Sequence, residues 1–321
     1  MERVLIFGGA GYIGCPTTEL LLKKGYHVTV FDCLTFGNFG LRHLLNHPNF
    51  ELIEESICDI TAVNAAVKKA DSIVLLSAIV GHRSKEVPIG TMRTINLLAS
   101  TVILDAAIEH GVPRFIFGST HAVYGNESGL YFETSMPSPV SLYARLKLRM
   151  EERVINAKKK GEFHPTALRI GTCHGVSGRM RFDLVINGLM RDAITKGEIN
   201  LISGEQMRAF VHVRDVANAI YLTLSAHENL ISGEVFNVGA HDQNLQINQV
   251  VNILKQVCPE VTINRIAGEP DLTGYRLSSK KIEKVLDFKD EVSIEQSMIE
   301  IKQAFEESLF PDCYSLRYNN V

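Results

Sequence analysis

Tyr143 and Lys147 stand four residues apart in "SLYARLK", so on a helix they share one face. A tyrosine titrates near about 10 and is a poor base at neutral pH. An ammonium group beside it favours the phenolate. A phenolate so placed can take the proton of an alcohol while hydride leaves the same carbon. Thr120 closes the apolar run "RFIFGST", and its hydroxyl can hydrogen-bond the reacting oxygen. Each residue also has a plainer reading. The pair can mark a solvated helix face, and the threonine can cap a turn at a strand end.

Hydride chemistry needs an acceptor, and "VLIFGGAGYIG" offers a place for one. Gly9, Gly11 and Gly14 fit G-x-G-x-x-G, while Gly8, Gly11 and Gly14 equally fit G-x-x-G-x-x-G. Either way, glycine permits a tight turn and lets backbone approach a pyrophosphate. The helix that follows presents unpaired N–H groups and the positive end of its dipole. Asp32 lies 18 residues after Gly14, close to the spacing of a ribose-binding carboxylate. It can accept both ribose hydroxyls of NAD and would repel a 2′-phosphate. In sequence no arginine lies beside it, the next being Arg42. NAD is therefore the expected cofactor.

These residues need a scaffold. Near-continuous apolar runs occur at 3–7, 27–31, 50–54, 72–76, 114–118 and 166–170, as in parallel strands covered on both faces. Helical patterns such as "IGCPTTELLLKKG" and "TINLLASTVILDAAIEHG" lie between them, the second ending on Gly111 and Pro113. The alternation predicts an α/β fold of Rossmann type, a doubly wound parallel sheet with a smaller C-terminal substrate-binding α/β region. Residues 1–172 should form the dinucleotide-binding domain, with 207–239 returning to it. Residues 173–206 and 240–321 should form the substrate-binding region. Thr120 then falls at the carboxyl edge of the sheet, where such folds bind ligands.

Composition narrows the partners. The 321 residues carry a net charge of -3, with no basic surplus to attract nucleic acid. No apolar run reaches the ~20 residues that span a bilayer, so no membrane partner and a cytoplasmic location are expected. The six cysteines form no C-x-x-C pair, and the eleven histidines are dispersed, so no metal site is expected. The tail "PDCYSLRYNNV" carries no recognisable signal.

Taken together, "GGAGYIG", Asp32, "CDI", "TINLLAS", "FIFGSTHAVYG", "YARLK", "LRIGTCHG", "RAFVHVRDVANAI" and "FNVG" resemble the extended short-chain dehydrogenase/reductase family. Within it, they are similar to the NAD-dependent epimerase/dehydratase group that acts on nucleotide sugars. The resemblance covers nearly the whole chain. It implies Tyr143 as base, Lys147 as its partner and Thr120 in the Ser/Thr place. On the cofactor side it implies Gly8, Gly11, Tyr12, Ile13 and Gly14. Asp59 and Ile60 would flank the adenine, Ser77 and Ala78 would meet the cofactor through backbone, and Asn96 would be a buried polar group near the site. On the substrate side it implies His121, Thr172, Asn187, Tyr275 and Arg276, with Arg208 gripping the nucleotide pyrophosphate. It also implies a homodimer through a four-helix bundle built from residues 91–110 and 143–160 of each subunit.

The chain departs from many relatives in "LRIGTCHG", in "LLSAIVG", which lacks a histidine before the alanine, and in "EPDLTGYR". These places bear on sugar and nucleotide identity. Two active readings share one constellation. A 4-epimerase returns the hydride, whereas a 4-dehydrogenase or ketoreductase gives net redox. A non-catalytic dinucleotide sensor on the same fold is the third, and the intact Thr120, Tyr143 and Lys147 argue against it. Dehydratases of the family place Asp and Glu after the threonine. Here His121 and Ala122 stand there, so loss of water is not expected.

Overall fold

The apolar runs of the sequence form strands, and alternate side chains along them enter two separate cores. A computed structural model describes residues 1–80, 87–159, 162–267 and 274–320. His82, position 160 at the expected end of the second interface helix, and residues 269–273 of "EPDLTGYR" lie outside them. The strands are β1 (Arg3–Phe7), β2 (His27–Asp32), β3 (Phe50–Glu54), β4 (Ser72–Leu75), β5 (Arg114–Thr120), β6 (Gly129–Tyr131), β7 (His164–Ile170), β8 (Thr172–His174), β9 (Glu198–Leu201), β10 (Met207–His212), β11 (Glu234–Val238), β12 (Asn244–Gln246), β13 (Thr262–Arg265) and β14 (Tyr275–Leu277). The helices are α1 (Gly14–Lys23), α2 (Ile60–Val67), α3 (Ile89–Arg93), α4 (Ser100–Glu109), α5 (Leu142–Asn156), α6 (Val185–Lys196), α7 (Val213–Ser225), α8 (Glu228–Ile231), α9 (Ile247–Val257), α10 (Lys280–Leu286) and α11 (Ile294–Glu306).

Seven strands form one parallel sheet in the order β11-β7-β5-β4-β1-β2-β3. Val4, Ile6, Val28, Val30 and Val74 face one core with Leu21 of α1 and Val216 and Ile220 of α7. Leu5, Phe7, Phe31, Ile73, Leu75 and Phe117 face the other with Val63, Ile103 and Met150 of α2, α4 and α5. This is the covering of both faces that the continuous apolar runs require. The strand order reverses between β1 and β4, which opens the crevice where such sheets take ligands. β5 runs two residues past the expected 118 and delivers Thr120 to that edge.

The second region is built from short sheets. β8 and β12 flank β10, β9 pairs with β13, and β6 pairs with β14. β10 thus belongs to the small sheet, and the chain re-enters the large layer only at α7 and β11, a few residues after the expected 207. The segment Ile89–Glu109 is one continuous helix. Its middle, Thr94–Ala99, widens into a π turn. Helix α5 starts on Ser141, whose Oγ accepts the Ala144 N–H at 3.1 Å.

Candidate active site

The glycine loop is shaped by contacts that a side chain would destroy. Gly8 has φ +84°, and a Cβ there would lie 2.6 Å from the Ser77 backbone nitrogen at the end of β4. A Cβ on Gly14 would lie 2.4 Å from the Gly8 carbonyl. The loop therefore hugs the crevice between β1 and β4 and ends in α1, whose first turn contains no acidic residue. A pyrophosphate fits this cradle, because the start of α1 offers unpaired backbone N–H groups and the positive end of the helix dipole, with no carboxylate in its first turn to repel it. Asp32 supports the loop from β2. Its carboxylate accepts the Ala10 N–H at 3.1 Å and the Leu34 N–H at 2.9 Å. Burial raises its pKa, and those two backbone donors oppose the rise.

The structure corrects one expectation here. Asp32 does have an arginine within electrostatic range, Arg179, which is far from it in sequence and was missed. The other cofactor-side residues divide into backbone and scaffold. Tyr12 is buried and gives its hydroxyl to the Gly175 carbonyl at 2.7 Å, so only its backbone is left for the loop. Asp59 caps α2 by accepting the Ala62 N–H at 2.9 Å, and Ile60 beside it is exposed. Asn96, in the π turn, exchanges two hydrogen bonds with the Ile79 backbone at 2.8 and 2.9 Å. It holds the segment that follows Ser77 and Ala78.

Tyr143, Lys147 and Glu151 form one stripe on α5, because each is four residues from the next. Burial pushes the Tyr143 phenol up to about 12, and the Thr120 hydroxyl and the Arg181 charge both oppose it. Lys147 is buried with Nζ 4.1 Å over the Phe117 ring. Burial pushes it down to about 7, and the Glu151 carboxylate resists. Glu151 is itself buried and paired with Arg169 at 2.6 Å, and it accepts the Ser119 hydroxyl at 2.5 Å. Thr120 does cap its turn, accepting the Ala122 N–H at 3.2 Å, which leaves its own O–H free to donate.

Four residues expected on the substrate side meet in one wall. His121 Nδ1 lies 2.9 Å from the Ile170 carbonyl and must be the N–H donor there. Its Nε2 is then an acceptor, and the Tyr275 hydroxyl donates to it at 2.6 Å. Thr172 in turn donates to the Tyr275 oxygen at 3.1 Å. The Arg208 guanidinium lies 5.4 Å over the Tyr275 ring. Burial pushes His121 down to about 4, which fixes the neutral form. Arg276 follows Tyr275 on a strand, so it points to the opposite face and is exposed. Asn187 is fully buried and occupied by Gly175, Tyr12 and Arg181, so it ties α6 to the glycine loop.

Sequence reasoning missed Glu151, Arg169, Arg179 and Arg181. Glu151 left one signal, its place one turn beyond Lys147 on the same stripe. Arg169 and Arg179 left none, since their partners come from other elements, whereas Arg181 pairs locally with Asp183.

Comparison with known proteins places the chain in one family. Residues 4–239 match the family model described as the NAD dependent epimerase/dehydratase family. The UDP-glucose 4-epimerase of Halalkalibacterium halodurans is 25% identical over 319 residues, covering 92% of this chain and 93% of that protein. The dTDP-glucose 4,6-dehydratase of Streptomyces niveus is 28% identical, covering 93% and 91%. The UDP-glucuronic acid 4-epimerase from Bacillus cereus, solved with UDP-glucuronic acid and NAD, superposes with a TM-score of 0.83 at 26% identity, covering 94% of this chain and 99% of that one.

Proposed function

Because this chain belongs to the NAD-dependent epimerase/dehydratase family, and is therefore an NAD-dependent enzyme of nucleotide-sugar chemistry, we propose that it is a nucleotide-sugar 4-epimerase. Bound NAD would supply the hydride acceptor that oxidation at the sugar C4 and its reversal require. Gly8, Gly11, Ile13 and Gly14 would hold its pyrophosphate with the Tyr12 backbone, and Asp32 would hold its adenosine ribose. Tyr143 takes the C4 hydroxyl proton and later returns it to the same oxygen. Thr120 donates to that oxygen, and Lys147 supplies the charge that favours the Tyr143 phenolate. Thr172, His121, Tyr275 and Arg208 line the nucleotide-sugar side.

The observation that carries this reading over dehydration is the state of His121. A 4,6-dehydration needs both an acid for the leaving hydroxyl and a base for the C5 proton. His121 is held neutral by burial, with both ring nitrogens committed to Ile170 and Tyr275, and the Ala122 methyl has no ionisable group.

The test is incubation with a panel of UDP- and dTDP-hexoses, read by mass spectrometry and NMR. We expect products of unchanged mass with C4 inverted. Products lighter by one water would overturn the reading, and products lighter by two hydrogens would make the protein a 4-dehydrogenase. Tyr143→Phe should lower the rate about 10²–10⁴-fold and leave NAD bound. A near-normal rate would remove Tyr143 from the base role. We also propose a homodimer in which the helix Ile89–Glu109 and α5 pack against their copies. Leu98, 58% exposed on the first helix, is the apolar residue we place at that contact.

A further inference from the structure

Arg179 is a buried cation short of partners. It is 6% exposed, and its Nε has no hydrogen-bond partner. Among the described residues, its one side-chain hydrogen bond is a long one, from Nη2 to the Asn319 carbonyl at 3.3 Å. Burying a guanidinium in this way is unfavourable unless an anion completes it. Two carboxylates act on it electrostatically without a hydrogen bond: Asp183 is held by Arg181 through both of its oxygens, and Asp32 accepts the Ala10 and Leu34 N–H groups.

The position of Arg179 names the anion. Gly178 packs backbone to backbone on Gly40, since a Cβ on Gly178 would lie 2.6 Å from the Gly40 Cα. A Cβ on Gly40 would in turn lie 2.7 Å from Cys15 Sγ. Cys15 is the second residue of α1, and the Arg179 backbone opposes the rise that burial gives its thiol pKa. The guanidinium lies 3.9 Å over the Phe36 ring, in the loop that follows Asp32. The segment between β8 and α6 that carries Arg179 therefore packs on Gly40, which lies against Cys15 in the first turn of α1, while the guanidinium sits at the Asp32 loop over Phe36. We propose that Arg179 is the cationic partner of the NAD pyrophosphate, supplying from the substrate-binding region the full charge that the glycine loop, made of backbone alone, lacks.

This rests on reading the glycine loop as the cofactor cradle, and the experiment separates the two. Binding of NAD, ADP-ribose, adenosine and UDP is measured for the wild type, Arg179→Gln, Arg179→Lys and Gly11→Val. Arg179→Gln should weaken NAD and ADP-ribose roughly 10- to 100-fold. It should leave adenosine, which has no phosphate, and UDP, which belongs to the substrate side, unchanged. Arg179→Lys should recover part of the loss, since it keeps the charge without the fork. In the folded wild type, the Arg179 Nε–H resonance should shift on adding ADP-ribose and stay put on adding adenosine. An equal loss of adenosine affinity, or no loss of NAD, overturns the proposal. Gly11→Val retaining ADP-ribose would instead overturn the cradle itself.

Discussion

At the scale of single residues, charge placement beneath the site decides the chemistry. Tyr143 and Lys147 are both pushed away from their reactive forms by burial, the phenol up to about 12 and the ammonium down to about 7. Glu151 is the carboxylate that resists the second shift. Glu151→Gln should therefore lower the Lys147 pKa further, with the unpaired Arg169 charge adding to the effect. If charged Lys147 is needed for turnover, the alkaline limb of kcat/KM should move to lower pH by about one unit. A purely structural role for Glu151 would lower stability and leave that limb in place. The substitution breaks a buried ion pair, so a loss of about 3–5 kcal/mol in stability accompanies it.

Elements carry these residues to their places. β5 delivers Thr120 because its side chains are buried from Phe115 to its last residue, which holds the strand rigid up to the carboxyl edge of the sheet. Phe117, on the same strand, packs in the core and also lies under Lys147, so Phe117→Ala would remove about 3–5 kcal/mol of packing together with that contact. The helix Ile89–Glu109 has a buried side with Met92, Asn96, Ile103 and Ala107 and an outer side with Leu98. α5 has Arg145, Arg149, Glu152 and Arg153 exposed on its outer face. The first helix also exposes Arg93, Asp105 and Glu109, so a dimer through both helices would join two charged faces around Leu98. Leu98→Asp should shift the protein to a monomer in sedimentation or light scattering, with the monomer still folded. An unchanged mass distribution, or a wild type that is already monomeric, would remove this helix from the interface.

On the scale of the whole molecule, buried histidines set a pH dependence of stability. His174 is fully buried and pushed down to about 3, mainly by burial and then by His212. His121 is held at about 4. Both stay neutral when folded and gain a proton when unfolded. Their contribution is complete above an ordinary histidine pKa of about 6.5 and falls as pH drops below it, by about 1.4 kcal/mol per pH unit for each. Asp215 works the other way. Burial raises it to about 6, so it favours the folded state as pH falls from 6 toward 3.8 and cancels about one histidine there. Unfolding free energy from urea melts should therefore decline from pH 7 to pH 5. The His174 ring signal should not titrate in that range; an ordinary midpoint for it would refute the account.

The sequence by itself determined what lies within one element or one turn. The glycine loop, Asp32, the Tyr143–Lys147 face and the strand–helix alternation were all legible, because backbone geometry sets those spacings locally. The family resemblance added Thr172, Tyr275 and Arg208 without saying how they meet. Tertiary structure alone decided that His121 accepts from Tyr275, 154 residues away, and so which proton His121 lacks. It alone set Arg169 on Glu151 and brought Arg179 to the Asp32 loop. The tail gave no signal in sequence, yet Tyr318 packs against Phe182 and accepts its N–H at 2.8 Å, and Asn319 meets Arg179. Such pairings depend on strand order and on how the second region closes over the first. Neither is encoded in the spacing of neighbouring residues, since burial and hydrogen bonding select partners only after the chain has folded back on itself.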